Sequence, residues 1–390
     1  MFKIGVCLES KNYQGGVHQY SIALLDALMQ FPKDKYEICA VCTNDEWQEY
    51  CKENLVPYYR TERYIRRTPF KDIIISHLLW GHAYGDLLDC KKHNIDLMFF
   101  PSVSENPFYI SCKKVCAIHD LMHRYEKNYP EIASTKHYFL REIVYRRIVK
   151  HSDIILTDSL LGKKHVEDCY LHGRNDNRIK PLPYIPPKYM YETINEGQEW
   201  KKLKSKLPPK YLFYPAQFWK HKNHINILRA INELKEALPD LRIVFVGSNH
   251  NSDNLVKEYI CENNLEENVT ILGYVDNECM AALYKHAVAL VMASVIGPTN
   301  IPQLEAFLLG CPVLVSDVYA VSEQVGDAAL LFDPYDYHDI AKQIERIWTD
   351  DELRNELIDK GYERAKNWGP EQFMQRLLSY CNDISYGCND

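Results

Sequence analysis

The chain has 390 residues, 46% apolar and 25% charged. That is globular composition, and the length suits two or three domains. A formal net charge of −7 argues against a general nucleic-acid binder, because neutralising phosphates needs a basic field. The opening MFKIGVCLESKNYQGG has too short an apolar run for a signal peptide. No stretch reaches the roughly 18–20 apolar residues that span a bilayer. Thirteen cysteines without an export signal point to free thiols in a reducing compartment, so a cytoplasmic protein is expected. Cys39 and Cys42, and likewise Cys112 and Cys116, read as structural thiols, since no second pair stands at zinc spacing.

In chain order the pattern is apolar strand, polar loop, amphipathic helix, repeated. Strands are expected at 3–8, 36–42, 95–100, 114–119, 153–158 and about 179–184. Strands alternating with helices predict a parallel sheet covered on both faces. After the first strand comes a helix with Val17, Tyr20, Leu24, Ala27 and Leu28 at helical spacing. Residues 186–210, rich in Pro and Lys, read as an interdomain connection. The pattern then restarts, with strands at 211–216, 242–247, 268–273, 288–293, 312–317 and 328–333, and helices from 351 onward. The fold class is therefore α/β, two doubly wound Rossmann-like domains expected to face each other across a cleft. In such sheets, ligands sit at the carboxyl ends of the strands.

Five stretches at strand ends or on helices can carry chemistry. Gly15-Gly16, between the first strand and helix, is either a plain tight turn or a loop letting backbone N–H groups approach an anion. His119-Asp120 ends a strand, and reads either as a pair that hydrogen-bonds a substrate or as a capping Asp beside a surface His. Gln217 to Lys222, in YPAQFWKHKNH, precedes a helix; Lys222 can set an ammonium against a phosphate, with Asn223 as N-cap, or the loop is simply solvated. In GPTNIPQLEA, Thr299 or Asn300 can cap, and Pro302 suits the first helical position. Glu305, one turn in, either takes the two hydroxyls of a ribose diol or faces solvent at a favourable helix start. Last, the basic stretches 59–71 and 136–151 are either solvated faces or contacts with an anionic membrane surface.

Taken together and in order, QGGVHQY, IHDL, DIILTDS, YPAQFWKHKNH, RIVFVGS, VTILGYV, GPTNIPQLEAFLLGCPVLVSD and EQVGDAALLFDPYD resemble the retaining GT-B glycosyltransferases of family four. The GPTNIP element is similar to a branch found in polysaccharide assembly. The resemblance implies an acceptor-binding domain at 1–195, a nucleotide-sugar-binding domain at 206–365, and a helix at 370–388 packing back on the first. It implies transfer of a hexose, with retention, from a nucleotide-sugar donor (GDP-mannose-like or UDP-hexose) to a saccharide or lipid-linked saccharide acceptor. It implies His119, Lys222 and Glu305 as catalytic residues. It implies Gly15, Gly16, Gln217, Lys222, Gly273, Tyr274, Val275, Thr299, Asn300, Ile301 and Glu305 as donor-binding residues. No metal and no cofactor beyond the co-substrate are expected, and no nucleic acid as partner. Peripheral membrane contact would run through 59–71 and 136–151. Two positions depart from the family: Gln217 stands near its usual Arg, and Gly297 stands where its first Glu, a sugar ligand, would fall. Those departures keep open a degenerate nucleotide-sugar binder, and the fold keeps open a sugar-nucleotide 2-epimerase.

Overall fold

A computed structural model describes residues 1–11, 15–61, 87–129, 135–192, 197–248 and 252–385. The chain divides into two compact units, Met1–Ile185 with Pro370–Asp390, and Pro186–Gly369. Each is built on one parallel sheet.

The first sheet has seven strands: β1 (Phe2–Leu8), β2 (Tyr36–Cys42), β3 (Tyr58–Arg60), β4 (Leu97–Phe100), β5 (Lys113–Ala117), β6 (Ile154–Thr157) and β7 (Ile179–Pro181). Their order is β3-β2-β1-β4-β5-β6-β7. β1 pairs in parallel with both β2 and β4, so the order reverses direction at β1/β4. Strands buried on both faces need continuous apolar runs, and LMFF and IILT supply them, every residue buried. Helix α1 (Gly16–Met29) follows β1 and turns Tyr20, Leu24, Leu25 and Leu28 into the unit. Helix α2 (Thr135–His151) buries Val144, Tyr145, Ile148 and Val149 at i, i+1, i+4, i+5 spacing, one face of a helix.

The second sheet has six strands: β8 (Leu212–Pro215), β9 (Ile243–Val246), β10 (Val269–Ile271), β11 (Ala289–Met292), β12 (Val313–Ser316) and β13 (Ala329–Phe332). They run β10-β9-β8-β11-β12-β13. The topology of the first six strands of unit one is repeated, with its own reversal at β8/β11. Helices α3 (His224–Leu234), α4 (Asn277–His286) and α5 (Ile301–Leu308) connect these strands.

Two expectations change. The three-residue β3 forms the sheet edge, so Tyr59 and Arg60 of the basic stretch 59–71 are structural; Arg60 pairs with Asp45. From residue 62 that stretch lies outside the described residues. Residues 186–210, the connection between the units, pack on the second unit, and 186–192 fall in it rather than in the first. Met190 and Trp200 are buried in the second unit's core, and the Gly197 N–H donates to Glu278 at 2.8 Å. The apolar anchors in an otherwise polar segment fix it. Helix α6 (Pro370–Ser385) packs on α1 within the first unit. It buries Phe373, Leu377 and Cys381, roughly 2 kcal/mol for each large apolar side chain. The Tyr36 hydroxyl donates to Asn382 Oδ1 at 2.7 Å and Lys113 Nζ to the Ile384 carbonyl at 3.0 Å. No described helix is long and apolar enough to cross a membrane.

Candidate functional site

The carboxyl edge of the second sheet gathers the residues singled out at 217–222 and 294–305. Lys222 lies in the loop after β8, and Ser294 in the loop after β11. Lys222 Nζ donates to Ser294 Oγ at 3.4 Å. The Val295 N–H donates to the His221 carbonyl at 2.9 Å, tying the two loops. The contact therefore bridges the point where strand order reverses, the place such sheets hold ligands. Among the described residues no carboxylate stands within ion-pair reach of Lys222. Burial lowers its ammonium to about 8, the direction expected for a cation removed from water without a counter-ion. Gln217 does not reach this lysine; its Oε1 accepts from the Trp219 indole at 2.9 Å.

Asn223 does not cap α3 with its side chain. It adopts a left-handed backbone, φ 60°, and its Nδ2 donates to the Pro334 carbonyl at 2.7 Å. The residue fixes the turn that aims Lys222.

At α5 the helix begins at Ile301, so Pro302 is the second helical residue and Asn300 the N-cap, without a side-chain capping bond. The Asn300 N–H is not left for an anion. It donates to Gln324 Oε1 at 3.0 Å, while Gln324 Nε2 donates to the Asn300 carbonyl at 2.7 Å. Pro302 has no N–H, which leaves those of Ile301 and Gln303 at this end. Thr299 sits in the turn before it.

Glu305 is only 7% exposed. The Tyr284 hydroxyl, on α4, donates to its Oε2 at 2.6 Å. Burial raises the carboxyl to about 7, and the tyrosine hydrogen bond opposes that rise. Glu305 is thus neither a solvent-facing helix-start residue nor a plain ionised carboxylate. Gly297 has φ 115°, a conformation that glycine adopts readily and other residues resist. A Cβ there would also stand 3.3 Å from Asn300 Oδ1. The turn is built for glycine, and a Glu would not fit its present backbone.

Gly273, also left-handed at φ 72°, accepts the Gly247 N–H at 3.0 Å. Tyr274 beside it is 82% exposed, an aromatic face open to solvent, and Val275 is half-buried.

In the first unit, Gly15 takes φ 56° just before α1 starts at Gly16, and among the described residues no atom stands within 4 Å of where a Gly15 Cβ would be. His119, at the end of β5, is engaged at both ring nitrogens. Nε2 lies 2.7 Å from the Pro101 carbonyl, so it is the donor, and Nδ1 accepts from the Tyr184 hydroxyl at 2.8 Å. Tyr20 packs edge-on against the ring at 5.0 Å. Burial lowers the imidazole below its ordinary range, so it stays neutral. His119 is therefore not a free acid or base. Asp120 caps the following turn, Oδ1 accepting from the Met122 N–H at 2.9 Å. On α2, Arg146 and Lys150 are exposed, but Arg147 stacks on Phe108 at 4.1 Å and Glu142 takes hydrogen bonds from His123, Arg124 and Tyr170.

The sequence reading missed Ser294, Tyr284 and Gln324. A buried carboxylate demands a donor, which was the one available signal for Tyr284; nothing local marks Gln324.

Residues 196–364 match the family described as glycosyl transferases group 1. This group 1 segment falls inside the second unit and contains Lys222, Tyr284, Ser294 and Glu305. The chain is 30% identical over 170 residues to O-antigen chain mannosyltransferase B of Escherichia coli, covering 43% of this chain and 45% of that protein. It is 24% identical over 345 residues to O-antigen chain mannosyltransferase RfbU of Salmonella typhimurium, 85% of this chain and 88% of that one. The chain thus spans about half the length of the first of these relatives. Among solved structures, Anabaena HepE in complex with UDP and glucose superposes with a TM-score of 0.71 at 15% identity, covering 98% of this chain and all of that one. At that identity the likeness shows the fold, which is GT-B.

Proposed function

We propose that the protein is a glycosyltransferase that moves a hexose from a nucleotide-sugar donor to a saccharide or lipid-linked saccharide acceptor, with retention. The donor is GDP-mannose-like or a UDP-hexose. The observation that carries the reading is Lys222, held at the β8/β11 reversal with a serine hydroxyl for company and no counter-ion. A diphosphate supplies the missing negative charge. The two similar mannosyltransferases favour mannose, and both act on O-antigen chains by name.

In this reading the donor diphosphate rests on Lys222 and the N–H groups of Ile301 and Gln303. Their positive charge stabilises the diphosphate as it departs, charge that develops only in the transition state. Glu305 accepts from the ribose hydroxyls while Tyr284 holds its other face. Tyr274 offers the exposed ring for the base, with the backbone of Gly273 and Val275 beside it. The acceptor hydroxyl attacks the anomeric carbon on the face that the diphosphate leaves, without an enzyme nucleophile, as the bond from that carbon to the diphosphate breaks and the hydroxyl proton passes to the departing diphosphate oxygen. His119 acts by posture, keeping the β4, β5 and β7 loops together through Pro101 and Tyr184. No metal is needed. The enzyme works in the cytoplasm, with contact at the membrane surface through exposed Arg146 and Lys150.

The test is a thermal-shift panel of UDP, GDP and their sugars, since a ligand that binds only the native state raises its melting temperature. At least one nucleotide is expected to shift wild type and to lose its effect in Lys222→Ala. No shift with any nucleotide overturns the reading. Release of UDP or GDP that depends on added acceptor separates a transferase from an epimerase or a silent binder.

A further inference from the structure

The two units share one topology but not one chemistry at the point where strand order reverses. In the second unit the reversal at β8/β11 is bridged by a cation, Lys222 to Ser294. In the first, the reversal at β1/β4 is bridged by an anion. Glu9 is the first residue after β1. Its Oε1 accepts from Asn106 Nδ2 at 2.7 Å and from Ser104 Oγ at 3.1 Å, both in the loop after β4. It also accepts from Cys7 Sγ at 3.1 Å. Burial raises the Glu9 carboxyl above its ordinary value and these three donors oppose the rise; burial and the Glu9 charge push the Cys7 thiol up, so it stays protonated and donates. Among the described residues all three donors land on Oε1, and Oε2 receives none. Asn106 is fully buried, so the carboxylate is held rigidly by one oxygen and presents the other. Ser102 Oγ, in the same loop, is also left without a partner among the described residues.

We propose that Glu9 Oε2, at the β1/β4 reversal of the first unit, is the ligand for a hydroxyl of a neutral pyranose, the acceptor sugar. Two features select that ligand class. Ligands in sheets of this topology sit at the reversal, beyond the carboxyl ends of the strands. A carboxylate repels phosphate but accepts from a sugar O–H, and a charge-assisted bond of that kind is about twice as strong as a neutral one. The sign of the bridging charge thus sorts the two substrates, diphosphate to the second unit and polyol to the first. The inference rests on the glycosyltransferase reading for its assignment of the sugar as acceptor.

The experiment uses the full chain and two probes, methyl α-D-mannopyranoside and methyl α-D-glucopyranoside, followed by saturation-transfer NMR. Wild type is expected to bind at least one glycoside. Glu9→Gln keeps the size and an oxygen for Asn106 but puts an amide NH2, a donor without charge, in place of Oε2. It is expected to weaken that glycoside about tenfold or more, the loss of one hydrogen bond to a charged group. Ser104→Ala, which removes one anchor and no charge, is expected to lie between wild type and Glu9→Gln. In the same variants the thermal shift from UDP or GDP is expected to be unchanged. Equal glycoside binding by Glu9→Gln and wild type, no glycoside binding by wild type, or displacement of the glycoside by inorganic pyrophosphate each overturns the proposal. Loss of the nucleotide shift in wild type is a separate result and strikes the glycosyltransferase reading instead.

Discussion

Replacing Glu305 with Gln should make the protein more stable and less able to bind nucleotide. The Glu305 carboxyl is raised from an ordinary 4.5 to about 7 by burial. At about 1.36 kcal/mol per tenfold change in protonation, the folded state disfavours its ionised form by about 3 kcal/mol. The sign follows from the raised value. Below about 4.5 the group is neutral whether folded or unfolded and costs nothing. As pH rises toward 7 the unfolded chain ionises first, so stability falls, and above 7 the full cost is present. The amide introduced by Glu305→Gln would carry no charge at any pH, and its oxygen can still accept the Tyr284 hydroxyl. In scanning fluorimetry at pH 8, Glu305→Gln should melt about 6–12 °C above wild type, taking 2–4 °C per kcal/mol for a unit the size of Pro186–Gly369. At pH 4.5 the gap should close. Titration calorimetry with whichever of UDP or GDP binds should show a loss of about tenfold to a hundredfold, the worth of hydrogen bonds from a ribose diol to a charged acceptor. The 2′,3′-dideoxy nucleotide should lose nothing. An unchanged or lower melting temperature at pH 8 would refute the buried-carboxylate account. Equal loss for the dideoxy nucleotide would refute the ribose assignment.

Lys222→Ala should cut turnover at least a hundredfold, as removal of a preorganised group facing developing charge does; near-normal activity would sink the phosphate assignment. Donor kcat/KM should follow a bell, rising as Glu305 ionises near 7 and falling as Lys222 loses its proton near 8, and a flat profile from pH 6 to 9 would count against both roles. Tyr274→Ala should weaken nucleotide binding about fivefold to tenfold with no change in melting temperature, because the ring is exposed and supports no packing. Gly297→Glu should lower the melting temperature by several degrees and fail to add donor affinity, since φ 115° strains any residue with a Cβ; a stable variant with improved sugar binding would show the turn to be more pliant than its backbone suggests.

The strands were legible because a parallel sheet buried on both faces leaves short unbroken apolar runs, and IDLMFF, DIILTD and VALVMA carry them. β3 was not, because three residues at a sheet edge have no period to read. The basic side chains around it drew attention to charge instead. The fate of 186–210 was hidden for a related reason: Met190 and Trp200 are two anchors in a polar stretch, and composition averages them away. At the site, Lys222 and Glu305 stood out as charges beside apolar neighbours at strand and helix ends. Their partners did not. Whether a tyrosine on 277–286 reaches Glu305 depends on how two helices cross, and whether Gln324 takes the Asn300 N–H depends on a turn 24 residues away. Asn223 shows the limit of local chemistry, since a residue type that caps helices here serves by adopting a left-handed turn.

The return of Pro370–Ser385 to the first unit sets an order on synthesis. The second unit is one unbroken segment and can finish folding once Gly369 has left the ribosome. The first unit, though its sheet is made before the second unit, lacks the helix that covers Tyr20, Tyr36 and α1 until residues 370–385 emerge. Its apolar surface must wait uncovered through the translation of the entire group 1 segment. Of the two units, the one whose sheet is made first is therefore completed second, and a chain released just after residue 369 carries a second unit complete in its segments tethered to an open first one.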